Sequence, residues 1–262
     1  MKGIDKVTTA IQLRDAGHFD QAAAIIRTLR EGSTHPRDMA YLAVMEASCH
    51  REMGDFECAV ALLSKARAVA QKDDSVSIGI EHEAARVERA QGRKAQALKR
   101  TTRVLERFRK LLATPQYSAV ADQLAAEKAM LMAENGLHKE ALPLLTDCHI
   151  VEPARSDVLY YLGDASFRTN RFEEAVRYLN EALQRSDLDD RLRPSAQYLL
   201  AYSYYSLGIY AQAINTLQKL ETDGVGEIVS PRSVYEMLAD CYHRLGMESE
   251  SANYHDKASR LS

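Results

Sequence analysis

Eight histidines and four cysteines are the residues of this 262-residue chain best suited to metal binding or nucleophilic catalysis. Their spacing does not bring them together. Glu81-His82-Glu83 is the densest cluster, but three consecutive helical residues point in different directions and cannot converge on one ion. Cys148-His149 joins a nucleophile to a base in sequence only, for the same reason. Cys49, Cys58, Cys148 and Cys241 lie far apart and form no CxxC. That argues against a disulfide framework or a zinc site and for a reducing compartment. The phosphate-binding GxxxxGKS/T, the dinucleotide GxGxxG, the zinc HExxH and the nucleophile-elbow GxSxG are missing. The expectation is a protein that is not an enzyme, with no catalytic residues, no metal and no cofactor.

What remains is recognition by surfaces, and the elements that would carry them are helical. Hydrophobic residues make up 46% and charged residues 27%, Trp is absent and Gly and Pro are sparse, a balance that favours helix over strand. The net charge of -3 argues against general nucleic-acid binding. Met1 to Ile11 has no long apolar stretch and does not read as a secretory signal. No run approaches the roughly 20 apolar residues that span a bilayer. A cytoplasmic location is expected.

A short signature recurs along the chain: Gly or Asn, then a small residue five positions later. It appears at Gly17/Ala22, Gly54/Ala59, Gly92/Ala97, Gly136/Ala141, Asn170/Ala175, Gly208/Ala213 and Gly246/Ser251. Successive spacings are 37, 38, 44, 34, 38 and 38 residues, the period of a helix-turn-helix repeat. Gly and Asn tolerate the left-handed conformation that ends a helix, and the small residue lets the next helix approach closely. Apolar and small residues recur at helical spacing before the turns, as in Leu159, Leu162 and Ser166. Pro36, Pro115, Pro153, Pro194 and Pro231 sit between repeats, with Thr114-Pro115 and Ser230-Pro231 patterned as N-cap and N1. Pro143 is the exception, placed near a first turn.

At these residues the chain resembles the tetratricopeptide repeat (TPR) family. Leu162-Gly163, Phe172, Ala175 and Ala182 match its motif closely within Ser156 to Asp189, and repeats six and seven match well. Repeats one to four keep the turn and the small residues but diverge elsewhere. The resemblance implies an all-α, right-handed superhelical solenoid of about seven helix-turn-helix repeats, with the first helix of each lining a groove that binds peptides or protein segments. The expected organisation is one domain over 1–262, with repeats near 3–36, 40–73, 78–112, 117–153, 156–189, 194–227 and 232–262. The spacing of 44 predicts extra helix through Ala95 to Leu112 and Thr114 to Asn135. Glu248 to Leu261 is expected to cap the array with a polar outer face.

Register with the family motif gives groove positions at i, i+4 and i+7 of each first helix. They are Val7, Ile11, Arg14; Val44, Ser48, Arg51; His82, Arg86, Arg89; Ala126, Met130, Ala133; Tyr160, Asp164, Phe167; Tyr198, Tyr202, Tyr205; and Glu236, Asp240, His243. Arg14, Arg51 and Arg89 form a ladder at one equivalent position, with Arg86 beside it, suited to carboxylate or phosphate. Tyr160, Phe167, Tyr198, Tyr202 and Tyr205 offer aromatic contact area, and Asp164 and Asp240 add acid. Some relatives grip a free C-terminal carboxylate with Lys and Asn in the first repeat. Here Val7 and Ile11 stand at those positions, which argues against that ligand.

A second surface is basic. Ala84 to Leu112 carries ten Lys or Arg against Glu88 and Glu106. Arg93, Arg100, Arg103, Arg107 and Lys110 share one helix face, with Leu98, Thr101, Leu105, Phe108 and Leu112 opposite. The reading is a cytoplasmic, chaperone-like adaptor or scaffold that binds an unidentified protein or peptide, with oligomerisation open. The alternatives are a structural subunit of a larger assembly, or a regulatory domain touching nucleic acid through the basic helix.

Overall fold

A computed structural model describes residues 2–70, 73–151, 155–226 and 229–261. Each of the seven signature residues ends a helix with positive φ, from 61° at Asn170 to 81° at Gly17 and Gly136. The residue after each donates its N–H to the carbonyl five positions back, as His18 to Leu13 (2.8 Å), Arg171 to Ser166 (2.8 Å) and Met247 to Tyr242 (2.9 Å). This closing bond requires the left-handed residue before it, which is why Gly or Asn recurs there. The small residue that follows is buried in every case, Ala22, Ala59, Ala97, Ala141, Ala175 and Ala213 at 0% and Ser251 at 4% exposure.

The helices are α1 (Lys2–Asp15), α2 (Phe19–Gly32), α3 (Pro36–Glu52), α4 (Phe56–Ala70), α5 (Asp74–Ala90), α6 (Lys94–Arg107) and α7 (Arg109–Leu112). After a 3-10 turn at Pro115–Tyr117 come α8 (Ser118–Glu134), α9 (His138–Val151), α10 (Ser156–Arg168) and α11 (Phe172–Gln184). The last four are α12 (Arg193–Ser206), α13 (Tyr210–Asp223), α14 (Pro231–Arg244) and α15 (Glu248–Ser259). Among the described residues no strand forms, and the fold is an all-α helical-repeat solenoid. Packing divides the chain into two compact units, Met1–Leu131 and Met132–Ser262.

In the N-terminal unit, Ala10, Ile26 and Cys49 are buried between α1, α2 and α3. Ala40, Leu63 and Ile80 do the same for α3, α4 and α5. The irregular spacing is not met by two longer helices alone. α6 stops where Phe108 leaves helical geometry (φ -101, ψ 15), and the additional residues form α7 and the 3-10 turn. Phe108, Leu112 and Leu124 turn this detour inward. Pro115 therefore opens a 3-10 turn rather than an α-helix, and the Thr114 hydroxyl donates backward to Leu111 O at 2.7 Å instead of capping.

In the C-terminal unit, α10 packs on α11, α12 on α13 and α14 on α15. Leu217, Leu220 and Leu238 are fully buried, each stabilising the unit by roughly 1.5–3 kcal/mol. Gly163 permits the close approach of α11: a Cβ there would lie 2.5 Å from Leu179 Cγ. Pro194 and Pro231 sit in the first turn of α12 and α14. Pro143 lies further inside α9 than expected, and Pro153 falls outside the described residues. In α15, Ser251, Tyr254 and Ala258 face inward while Asn253, His255 and Asp256 are exposed.

Candidate functional site

The residues expected along the first helices separate into two chemistries. In the N-terminal unit Val7, Ile11 and Val44 join the apolar core, and the Ser48 hydroxyl donates to Met45 O. Arg14 pairs with its exposed neighbour Asp15 at 3.0 Å. Arg51 is 10% exposed and donates to Glu83 at 2.6 Å and Glu52 at 2.7 Å. Burial opposes its charge, but those carboxylates raise its pKa above the ordinary arginine value. Arg86 stands 3.8 Å from the other Glu83 oxygen, and His82 Nε2 lies 2.6 Å from Glu127. Burial works against the Glu127 charge, yet His82, Arg86 and Arg89 hold its carboxyl below the usual range. Ala126 and Met130 are buried. Arg51 and Arg86 thus carry internal counter-charges.

Sequence reasoning missed the carboxylate half of this network. Glu83 was legible as the i,i+3 partner of Arg86, whereas Glu127 meets His82 across 45 positions of sequence. It also missed a grouping at the second turn. His50, Asp55 and Cys58 bring a ring nitrogen, a carboxylate oxygen and a sulfur within 4.8 Å of one another. There Asp55 accepts from the Cys58 N–H at 3.2 Å and lies 3.0 Å from His50 Nδ1, which closes the turn onto α4.

In the C-terminal unit the expected positions carry rings that touch one another. Phe167 on α10 meets Tyr202 on α12 at 5.2 Å and 80°. Tyr202 in turn meets Tyr198 at 6.4 Å and Tyr205 at 6.0 Å. The strip extends through the turns, where Phe167 meets Phe172 at 5.9 Å and Tyr205 meets Tyr210 at 5.7 Å. These edge-to-face contacts satisfy the ring quadrupoles while Tyr202 stays 38% exposed. Phe172 and Tyr210 were not anticipated, although both stand two residues after the turn signature.

Tyr160 differs from the others. It is 8% exposed, its hydroxyl lies 3.0 Å from Ser195 Oγ, and it ties α10 to α12. Burial raises its pKa and that of Tyr198. The Tyr205 hydroxyl donates to Asp240, which raises the Tyr205 pKa. Around the rings runs a charged rim: Asp164 with Arg168 at 3.3 Å, Asp240 with Arg244 at 3.6 Å, and Glu236 with Arg232 at 2.9 Å. His243 pairs with Glu248 at 3.0 Å. Ala133 is buried. An apolar centre with a polar rim is the anatomy of a protein interface.

A family model for subunit 3 of the anaphase-promoting complex, cyclosome, matches residues 125–220. Solved structures extend the likeness over the chain. A signal transduction ATPase with numerous domains from Pyrococcus horikoshii, bearing a tetratricopeptide repeat sensor, aligns with 97% of this chain at 16% identity and TM-score 0.70. This chain spans 41% of that protein. PilF of Pseudomonas aeruginosa aligns over 86% of this chain and 93% of its own, at 18% identity and TM-score 0.63. MamA aligns over 70% and 91%, at 20% identity and TM-score 0.54.

The chain has the tetratricopeptide-repeat fold.

No curated protein sequence matches it. TPR folds of this kind generally serve as protein-interaction scaffolds and are generally non-catalytic. No described helix of this TPR chain is long and apolar enough to cross a membrane.

Proposed function

We propose that the protein is a non-catalytic adaptor whose C-terminal unit binds an extended or helical segment of a partner protein across Phe167, Tyr198, Tyr202 and Tyr205. The observation that carries this reading is the continuous aromatic strip with a partly exposed ring at its hub and charge at its rim. Tyrosine gives large contact area at small entropic cost and concentrates at binding hot spots. The favoured segment is apolar at its centre. The arginine positions contribute less, because an acidic segment would have to displace Glu83 from Arg51. A chaperone-like role in the cytoplasm fits the same surface.

A second reading, a structural subunit of a larger assembly, draws on the family model, which describes a subunit of a complex. An affinity pull-down from source lysate separates the two readings. Wild type is compared with Tyr198→Ala/Tyr202→Ala/Tyr205→Ala, with circular dichroism confirming the fold. The adaptor reading expects a partner lost only from the variant. Unchanged capture by both forms would shift the interface away from the strip.

A further inference from the structure

The basic face of α6 is not accounted for by partner binding on the C-terminal unit. It borders a cleft of about 320 Å³ whose lining includes Arg67 from α4, Glu81 from α5, and Arg100, Arg103, Arg107 and Phe108. Four guanidinium groups against Glu81 and the Glu88 that also holds Arg100 leave a formal charge of 4 - 2 = +2. Two of the arginines are fixed in place. Arg67 donates to Glu81 at 2.9 Å. Arg100 donates to Glu81 and, at 3.0 and 2.7 Å, to Glu88. Burial opposes the Glu81 charge, yet Arg67 and Arg100 hold its carboxyl below the ordinary range. Both guanidinium groups therefore stay oriented while keeping N–H donors to spare.

The other two arginines complete the case. Arg103 and Arg107 are exposed and have no ion pair among the described residues. One helical turn apart, they share a face of α6. The Arg107 guanidinium lies 4.8 Å from the Phe108 ring centroid, and Phe108 and Val104 are buried. This cation–π contact restrains the Arg107 side chain while a guanidinium keeps its N–H donors for a ligand.

We propose that this cleft is a binding site for a phosphomonoester dianion. A single carboxylate would neutralise half of the cleft's formal charge. A phosphomonoester carries about -1.5 to -2 at neutral pH and three strong acceptor oxygens, matched to a fork of planar donors. A nucleic-acid strand requires a track of positive charge along its length, whereas here the four arginines line one open cleft. The ester is borne either by a small phosphorylated molecule or by a phosphorylated side chain. The site lies in the N-terminal unit and does not depend on the aromatic strip.

Isothermal titration calorimetry of the full chain with phenyl phosphate, at fixed ionic strength, tests the proposal. Saturable binding is expected, weakened about tenfold or more in Arg103→Ala/Arg107→Ala, since each lost charge-assisted bond counts for that much. Arg171→Ala/Arg185→Ala removes the same charge from the C-terminal unit and should bind as wild type does. A short phosphoserine peptide forms a second arm. Binding much tighter than phenyl phosphate identifies a protein source, and equal binding identifies a small ester. No saturable heat, an undiminished Arg103→Ala/Arg107→Ala titration, or equal weakening by the control pair would overturn the site.

Discussion

The two units present the same repeat register with opposite chemistry. In the N-terminal unit the register holds Arg51, His82 and Arg86, and the packed stack supplies Glu83 and Glu127 to meet them. In the C-terminal unit the same positions hold Phe167, Tyr198, Tyr202 and Tyr205, which satisfy one another edge to face. A cation on a helix facing other helices recruits a counter-charge and is consumed by it. A ring packs its edge against a neighbour and still offers a face. Aromatic register positions are therefore the better sign of a binding surface, and charged ones first mark internal cohesion.

The strongest way to break this contrast is to remove a counter-charge. Glu83→Ala leaves the buried Arg51 with Glu52 as its one remaining carboxylate and is expected to cost about 2–3 kcal/mol, read as a shift of the urea midpoint. Asp240→Ala, at a half-exposed pair in the other unit, should change that midpoint little. A similar small loss for both would remove the distinction. Next comes Gly163→Ala, whose methyl meets the buried Leu179 and should cost about 1–3 kcal/mol through overpacking.

The turns and the small residues behind them were legible because a left-handed residue and a close approach each restrict the amino acid at one position. The ring positions were legible for the same reason: a period of 38 residues carries a side chain to the equivalent place. Phe167–Phe172 recurs as Tyr205–Tyr210, and Asn180–Tyr204 as Gln218–Tyr242. The burial of Tyr160 was not legible, since it depends on Ser195 one helix pair away. Nor was the detour at α7, which depends on where Phe108 finds a core.

Smaller effects are expected within the aromatic strip. Tyr202→Ala removes three edge contacts at a partly exposed hub, and a stability loss of about 1.5 kcal/mol is expected, less than for Glu83→Ala, together with loss of the partner. Thermal unfolding and pull-down of the same preparation check both. The weakest contrast is in pH. In the N-terminal unit, Asp73, held by donors on Ser75 and Val76, and Glu81 and Glu127, held by their cations, have carboxyls lowered by folding. A lowered carboxyl stabilises above its unfolded value near about 4 and loses that contribution as pH falls further. Tyr160, Tyr198 and Tyr242, raised by burial, and Tyr205, raised by Asp240, all lie in the C-terminal unit. Their contribution is present below about 10 and is lost as pH rises through the raised values. Asp189 in the C-terminal unit, held by Arg191, is lowered in the same way, so hydrogen exchange by mass spectrometry should show acid loosening both units and alkali loosening the C-terminal unit first.

The most direct test places a photo-crosslinking amino acid at Tyr202 in one preparation and at Arg86 in another, each incubated with the partner recovered by wild type. A covalent adduct is expected from position 202 and none from position 86. An adduct from position 86 alone, or the same pattern from both, would contradict binding at the aromatic strip.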